Sequence, residues 1–255
     1  PVIKNFFGLN EDAKSYTRIV QPGSKALESQ PNIVLVICES FSMYKSSMSG
    51  NPLNATPYFD SLSRQGIFFE RCFTPHFSTA RALFAILSGI PDAQLFKFSS
   101  RNPEAVKQHT IIDNFADYSK HYFLGGDPEL GNFQGVLNNI NDLQVHAGKR
   151  PGTPDVNVWG ISDKALFLEA NEVFRKQAKP FFAYIQTSGN HRPFDKTMAS
   201  TDTDFIRVSV ETETLKKYGF ESVDEFNAFR YFDYCLQQFL AAAQKESYFS
   251  NTIFV

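Results

Sequence analysis

PNIVLVICESF, residues 31–41, is the stretch whose reading decides the fold. From Ile33 to Cys38 it is an unbroken apolar run rich in β-branched residues. A strand with one wet face would alternate polar and apolar positions, whereas a continuous run belongs to a strand covered on both faces, as in a parallel sheet. Downstream, helical periodicity predicts helices over 56–65, 79–87, 110–119, 130–138, 162–177 and 223–244. Short apolar runs between them predict strands over 67–73, 121–124, 142–145, 180–187 and 252–255. Such alternation is the sequence form of βαβ units, so the expected fold is α/β, a mostly parallel central sheet with helices on both faces. Residues 1–30, polar and broken by Pro22-Gly23-Ser24, read as an arm or tether, and 31–255 as the folded domain. Residues 146–158 and 192–222 read as long loops. Residues Asn251 to Val255 stop inside what reads as a core strand, so the sequence is expected to be incomplete on its C-terminal side.

A chain of 255 residues can bury roughly three quarters of its unfolded surface, so neither disulfides nor a metal are needed merely to hold a core. With 25 basic against 27 acidic side chains, the charge balance argues against the clustered basic face of a nucleic-acid binder. The 27 Phe and 10 Tyr read as packing. Cys38, Cys72 and Cys235 are odd in number, form no CxxC and sit among apolar neighbours, which predicts buried free thiols rather than a disulfide framework. No run of about 18 apolar residues and no leader-like N-terminus is present. GxGxxG, GxxxxGK[ST], GxSxG and HExxH are all missing, which weakens dinucleotide, P-loop, α/β-hydrolase and zincin readings.

In an open α/β sheet ligands gather outside the carboxyl ends of the strands. Four such ends carry chemistry. Glu39-Ser40 puts a carboxylate at the tip of a buried strand, where it must be paired or bind a cation; a metal ligand and an ordinary salt bridge are both compatible with that position. Ser78-Thr79-Ala80-Arg81 leads into the apolar helix ALFAIL. A hydroxyl there lies in the positive field of a helix N-terminus and suits a nucleophile or a simple cap, and Arg81 could clamp an anion or pair with an acid. Gly125-Gly126-Asp127 with Asn132, and Ser188-Gly189-Asn190-His191, place polar side chains on permissive turns.

In this order, the pieces resemble the sulfatase-like branch of the alkaline phosphatase superfamily, most of all its lipoteichoic acid synthase and phosphoglycerol transferase group. PNIVLVICESF is similar to the family's first metal-ligand strand, which implies a divalent cation on Glu39. Residues 56–91 resemble the block whose Thr or modified Cys stands about ten residues before a Gly as nucleophile and metal ligand, which here is Thr79. WGISDKALF (159–167) and PFFAYIQTSGNHRPF (180–194) are similar to two later blocks, the second with a substrate-contacting His, here His191.

The resemblance implies a metal-dependent phosphoryl-ester transferase or hydrolase with Thr79, Arg81 and His191 in catalysis. It further implies Asp127, Asn132, Asn190 and Trp159 at the substrate and Glu39 and Thr79 on the metal. Manganese is the first expectation, with zinc, magnesium or calcium also compatible. The substrate would be a lipid-linked or glycan group of phosphoglycerol or phosphoethanolamine type, with no nucleic-acid or protein partner, on the extracytoplasmic face of a bacterial inner membrane. A Thr at position 79 cannot become formylglycine, which weighs against the alternative of a sulfuric-ester hydrolase; a non-catalytic domain that kept the fold is the alternative of another class. The family's remaining ligands, an Asp-His pair, would follow Val255, so the given residues alone are expected to be inactive, with Glu39 taking hydrogen bonds from backbone N–H groups or Arg81.

Overall fold

The computed structural model describes residues 29–93, 97–194 and 198–255. The arm read over 1–30 falls outside the described residues except for Ser29 and Gln30. Pro31–Val255 forms one compact unit. Its strands are β1 (Asn32–Ile37), β2 (Ser119–Leu124), β3 (Leu143–His146), β4 (Phe181–Gln186) and β5 (Thr252–Phe254). They form one sheet in the order β3-β2-β4-β1-β5, with every neighbouring pair parallel.

Alternation along each central strand feeds two different cores. Phe181, Ala183 and Ile185 of β4, Phe123 of β2 and Val34 of β1 join a cluster with α5 (Asp163–Phe174) and α8 (Val223–Ala243). Phe182 and Tyr184 of β4 and Tyr122 and Leu124 of β2 join another with α2 (Thr79–Ser88) and α4 (Phe133–Leu137). Both faces are therefore covered by helices, which is why the strands read as apolar throughout. The remaining helices are short: α1 (Pro57–Ser63), α3 (Pro103–Val106), α6 (Met198–Thr201) and α7 (Thr212–Lys217). No helix among the described residues is long and apolar enough to cross a membrane.

Four expectations are corrected. Residues Ile67 to Phe73 form no strand: Ile67 is 86% exposed and Phe73 84%, and no other described strand pairs with them. Residues 110–119 hold only a single 3₁₀ turn, Ile111–Asn114, tied by the Asp113 carboxylate to the Thr110 N–H and hydroxyl, before β2 begins. There Ile112 is buried and Phe115 packs on Phe182 at 4.8 Å, so the apolar residues close the core without a helix. The loop read over 192–222 contains α6 and α7. Of the three thiols, Cys235 is buried and Cys38 half-buried, but Cys72 is exposed because it lies in the unpaired 67–77 segment.

Candidate active site

Because all strands run the same way, the carboxyl ends of β1, β4 and β2 open side by side on one edge of the sheet. Glu39 lies two residues beyond β1 and is followed by Ser40 in the left-handed region (φ 55°). Thr79 is the first residue of α2. Its Oγ1 donates to Glu39 Oε1 at 2.9 Å, and Ser40 Oγ donates to the same oxygen at 3.3 Å. The Glu39 N–H is held by Thr187 Oγ1 (3.2 Å), whose own hydroxyl donates to Ile37 O (3.1 Å). The hydroxyl and the carboxylate are thus fixed from two strands and a helix N-terminus, whose macrodipole favours negative charge at Thr79.

Glu39 and Thr79 form part of the wall of a cavity of about 240 Å³. Trp159, His191, Leu124, Phe133, Asp127, Gln186 and Ser188 also line it. Among the described residues that line it there is no Lys or Arg. Tyr122, whose phenol is driven up by burial and by the Glu39 charge, stays protonated and donates to Gln186 Oε1 at 2.5 Å.

The loop after β4 is held from two sides. Asp163, at the start of α5, accepts the N–H groups of Ser188 (2.9 Å) and Gly189 (3.0 Å). Burial pushes its carboxyl up to about 6, while those two bonds pull the other way. Trp159 Nε1 donates to Arg192 O at 2.8 Å, and its ring lies 4.0 Å from that of His191, centroid to centroid. His191 Nδ1 is 2.7 Å from Arg192 O, a contact that requires the proton on Nδ1 and leaves Nε2 as the free nitrogen. Gly125 and Gly126 serve close backbone packing: a Cβ on Gly126 would stand 2.7 Å from Trp159 O, and Ile161 N donates to Gly125 O at 3.2 Å.

The structure thus brings Glu39, Thr79, Asp127, Trp159 and His191 to one cavity. It does not bring Arg81 there: the guanidinium lies over Phe98 (4.9 Å) and its Nε is 3.9 Å from Asp92. Glu39 accordingly takes hydroxyls, where backbone N–H groups or Arg81 were expected. Asn132, in the left-handed region (φ 60°), gives its amide to Ser100 O and lies off the cavity wall. Asn190 is buried beside Ser188 and His191, and among the described residues neither end of its amide has a partner. Sequence reasoning missed Asp163 and Gln186. Asp163 stood in the quoted WGISDKALF block after a capping Ser, and Gln186 is the polar residue closing an apolar strand.

A metal can be weighed against the same geometry. Glu39 has no cationic partner among the described residues, and its carboxylate converges with the Thr79 hydroxyl, two oxygen donors of the kind hard divalent cations prefer. Among the described residues no group of three or more His, Cys, Asp or Glu gathers to complete a site. The pair fits a cation as two of its ligands.

The order of these elements matches the Sulfatase family model over residues 31–255. The chain belongs to the Sulfatase family. Within reach of that family, it is 22% identical over 232 residues to lipoteichoic acid synthase 1 of Bacillus subtilis, covering 87% of this chain and 35% of that protein. A Vibrio parahaemolyticus protein of the alkaline phosphatase superfamily superposes with a TM-score of 0.73 at 26% identity, over 88% of this chain and 53% of that one. The lipoteichoic acid synthase LtaP from Listeria monocytogenes gives 0.73 at 19% identity, over 88% and 55%. The C-terminal periplasmic domain of EcEptC from Escherichia coli, in complex with zinc, gives 0.59 at 18%, over 89% and 62%. The chain therefore spans about a third of the curated relative and between half and two thirds of these structures. The sheet and helices are those of the alkaline phosphatase superfamily.

Proposed function

We propose that these Sulfatase-family residues belong to a phosphoryl-ester transferase or hydrolase that works through a covalent Thr79 intermediate. The supporting observation is the 2.9 Å hydrogen bond from Thr79 Oγ1 to Glu39 at a helix N-terminus, on the wall of a cavity that His191 also lines. Thr79 Oγ1 forms the new bond to phosphorus as the bond from phosphorus to the leaving alcohol breaks. The Thr79 proton passes to Glu39, and the leaving oxygen takes a proton from Nε2 of the His191 imidazolium. An acceptor hydroxyl, of water or of an alcohol, then attacks the phosphothreonine, loses its proton to His191, and Thr79 recovers its own from Glu39. Glu39 and Thr79 would hold a divalent cation, manganese before zinc, magnesium or calcium, which when bound lowers the hydroxyl pKa and offsets the charge of the ester oxygens.

The cavity is small, which supports a compact transferred group of phosphoglycerol or phosphoethanolamine type on a lipid or glycan. Asp127 and Trp159 are the substrate contacts of this reading; Asn190, expected there too, is buried off the cavity wall with its amide unpartnered among the described residues. Arg81 and Asn132 act through Phe98, Asp92 and Ser100, as supports of the cavity wall. An extracytoplasmic location is the corresponding proposal, in keeping with the periplasmic domain among the structural neighbours.

The test is made on the complete gene product with a chromogenic phosphodiester. Thr79→Ala should leave less than about 1% of turnover while costing about 1 kcal/mol of stability for the lost hydrogen bond. Glu39→Gln should weaken metal binding with little change in melting. Retained turnover in Thr79→Ala would remove Thr79 from the nucleophile role.

A further inference from the structure

An Asp in the first turn of a helix is ordinarily explained by the helix itself, as a cap or a partner of the macrodipole. Asp163 is not. The cap of α5 is Ser162, whose Oγ accepts the Ala165 N–H at 3.2 Å. The Asp163 side chain turns away from its own helix, and each of its oxygens takes one N–H of the neighbouring loop, Oδ1 from Ser188 and Oδ2 from Gly189. The residue is 1% exposed, and among the described residues no Lys or Arg pairs with it. The titratable groups that feel its charge are Cys38 at the end of β1 and Cys235 on α8, both neutral thiols pushed up chiefly by burial. A buried carboxylate held only by two backbone N–H groups is costly to keep, and packing alone gives no reason for it.

The loop is pressed against that carboxylate. A Cβ on Gly189 would stand 2.4 Å from Asp163 Oδ2, so only glycine allows the approach. From Ser188 the restraint passes directly to the histidine, because the His191 N–H donates to Ser188 O at 3.0 Å. At the other end Trp159 and His191 both bond to Arg192 O.

We infer that Asp163 is a positioning residue. Its carboxylate, through the N–H groups of Ser188 and Gly189, fixes the loop that presents His191 to the cavity Thr79 also lines. The geometric part stands on the contacts alone, and the catalytic consequence rests on the proposed role of His191.

Trp159 is the sole tryptophan of the chain and touches His191 and Arg192, so its fluorescence reports the loop directly. Asp163→Asn keeps the shape but replaces one acceptor by an NH₂ group that faces a backbone N–H. It should raise acrylamide quenching of Trp159 severalfold and shift its emission to the red, while the far-UV spectrum and a cooperative melt persist. Gly189→Ala, which displaces the loop with the carboxylate intact, should give the same signature and serves where the Asn variant folds poorly. Unchanged Trp159 emission and quenching in a folded variant would overturn the inference. In the complete enzyme, Asp163→Asn should lower kcat at least about tenfold with KM changed far less, because the histidine is misplaced rather than the substrate lost. A moved Trp159 with undiminished kcat would uphold the positioning role of Asp163 and overturn the role of His191 instead.

Discussion

Two Phe-rich stretches of this chain, Pro180 to Gln186 and Ile67 to Phe73, differ completely in outcome. The first becomes β4, with every strand residue buried, parallel β1 on one side and parallel β2 on the other. The second stays irregular, with Ile67, Phe69 and Phe73 each more than 70% exposed. Composition favours a strand in both, but a strand is realised only where a neighbour accepts its ladder and helices cover its faces. Both stretches end beside the Glu39–Thr79 pair. One supplies the loop of His191, and the other runs into the His76–Phe77 turn that precedes α2.

The strongest way to break this contrast is to cut the same ring from each stretch. Phe181→Ala should destabilise the fold by about 3–5 kcal/mol, because Phe181 is 1% exposed between Phe174 and Tyr248, whereas Phe69→Ala should stay within about 0.5 kcal/mol. Urea unfolding of both variants checks it, and similar losses in the two would dissolve the distinction. Acid probes the buried side next. His121 on β2, the neighbour of β4, lies 3.2 Å from His146 Nε2, and burial lowers its pKa to about 4 from 6.5. Between those values the unfolded chain binds the extra proton and the folded one does not. His121 should therefore contribute a loss on the order of 3 kcal/mol as pH drops from about 6.5 to 4, opposed by the buried carboxyls of Asp163 and Asp233, which burial raises to about 6 and which favour the folded state over the same range. His121→Phe should remove that contribution, so that urea unfolding shows the variant gaining on the wild type as pH falls from about 6.5 to 4; a constant difference between the two would remove His121 from the acid response. The smallest effect is chemical. Cys72 in the exposed stretch should react with a maleimide in the native state, while Cys235 is protected by burial and Cys38 by a thiol pushed up to about 12. Cys72→Ser should abolish the fast reaction without altering the melt.

These differences also mark how far the sequence could be read. The PNIVLVIC and PFFAYIQ runs needed no partner information, because continuous apolar character already implies cover on both faces, and their carboxyl ends led to Glu39 and His191, whereas Thr79 was legible from the start of the apolar helix that follows it. Residues 67–73 could not be read correctly from the same signal, since pairing is a property of neighbours and not of the run. Arg81 looked like an anion clamp because it follows Thr79 by two residues; on α2 that spacing turns it toward Phe98 and Asp92. Asp163 was passed over because an Asp beside a capping Ser is ordinary helix chemistry, and its true partners lie 25 and 26 residues away.

The central claim, that Thr79 carries the covalent intermediate, is tested most directly by trapping it. The complete gene product, mixed with a phosphodiester substrate and quenched in acid, is digested with trypsin, and the peptide Cys72 to Arg81 is fragmented in a mass spectrometer. The account predicts the mass of the transferred phosphoryl group on Thr79, present during turnover and absent without substrate. An adduct on another residue, or steady turnover with Thr79 unmodified at every quench time, would contradict it.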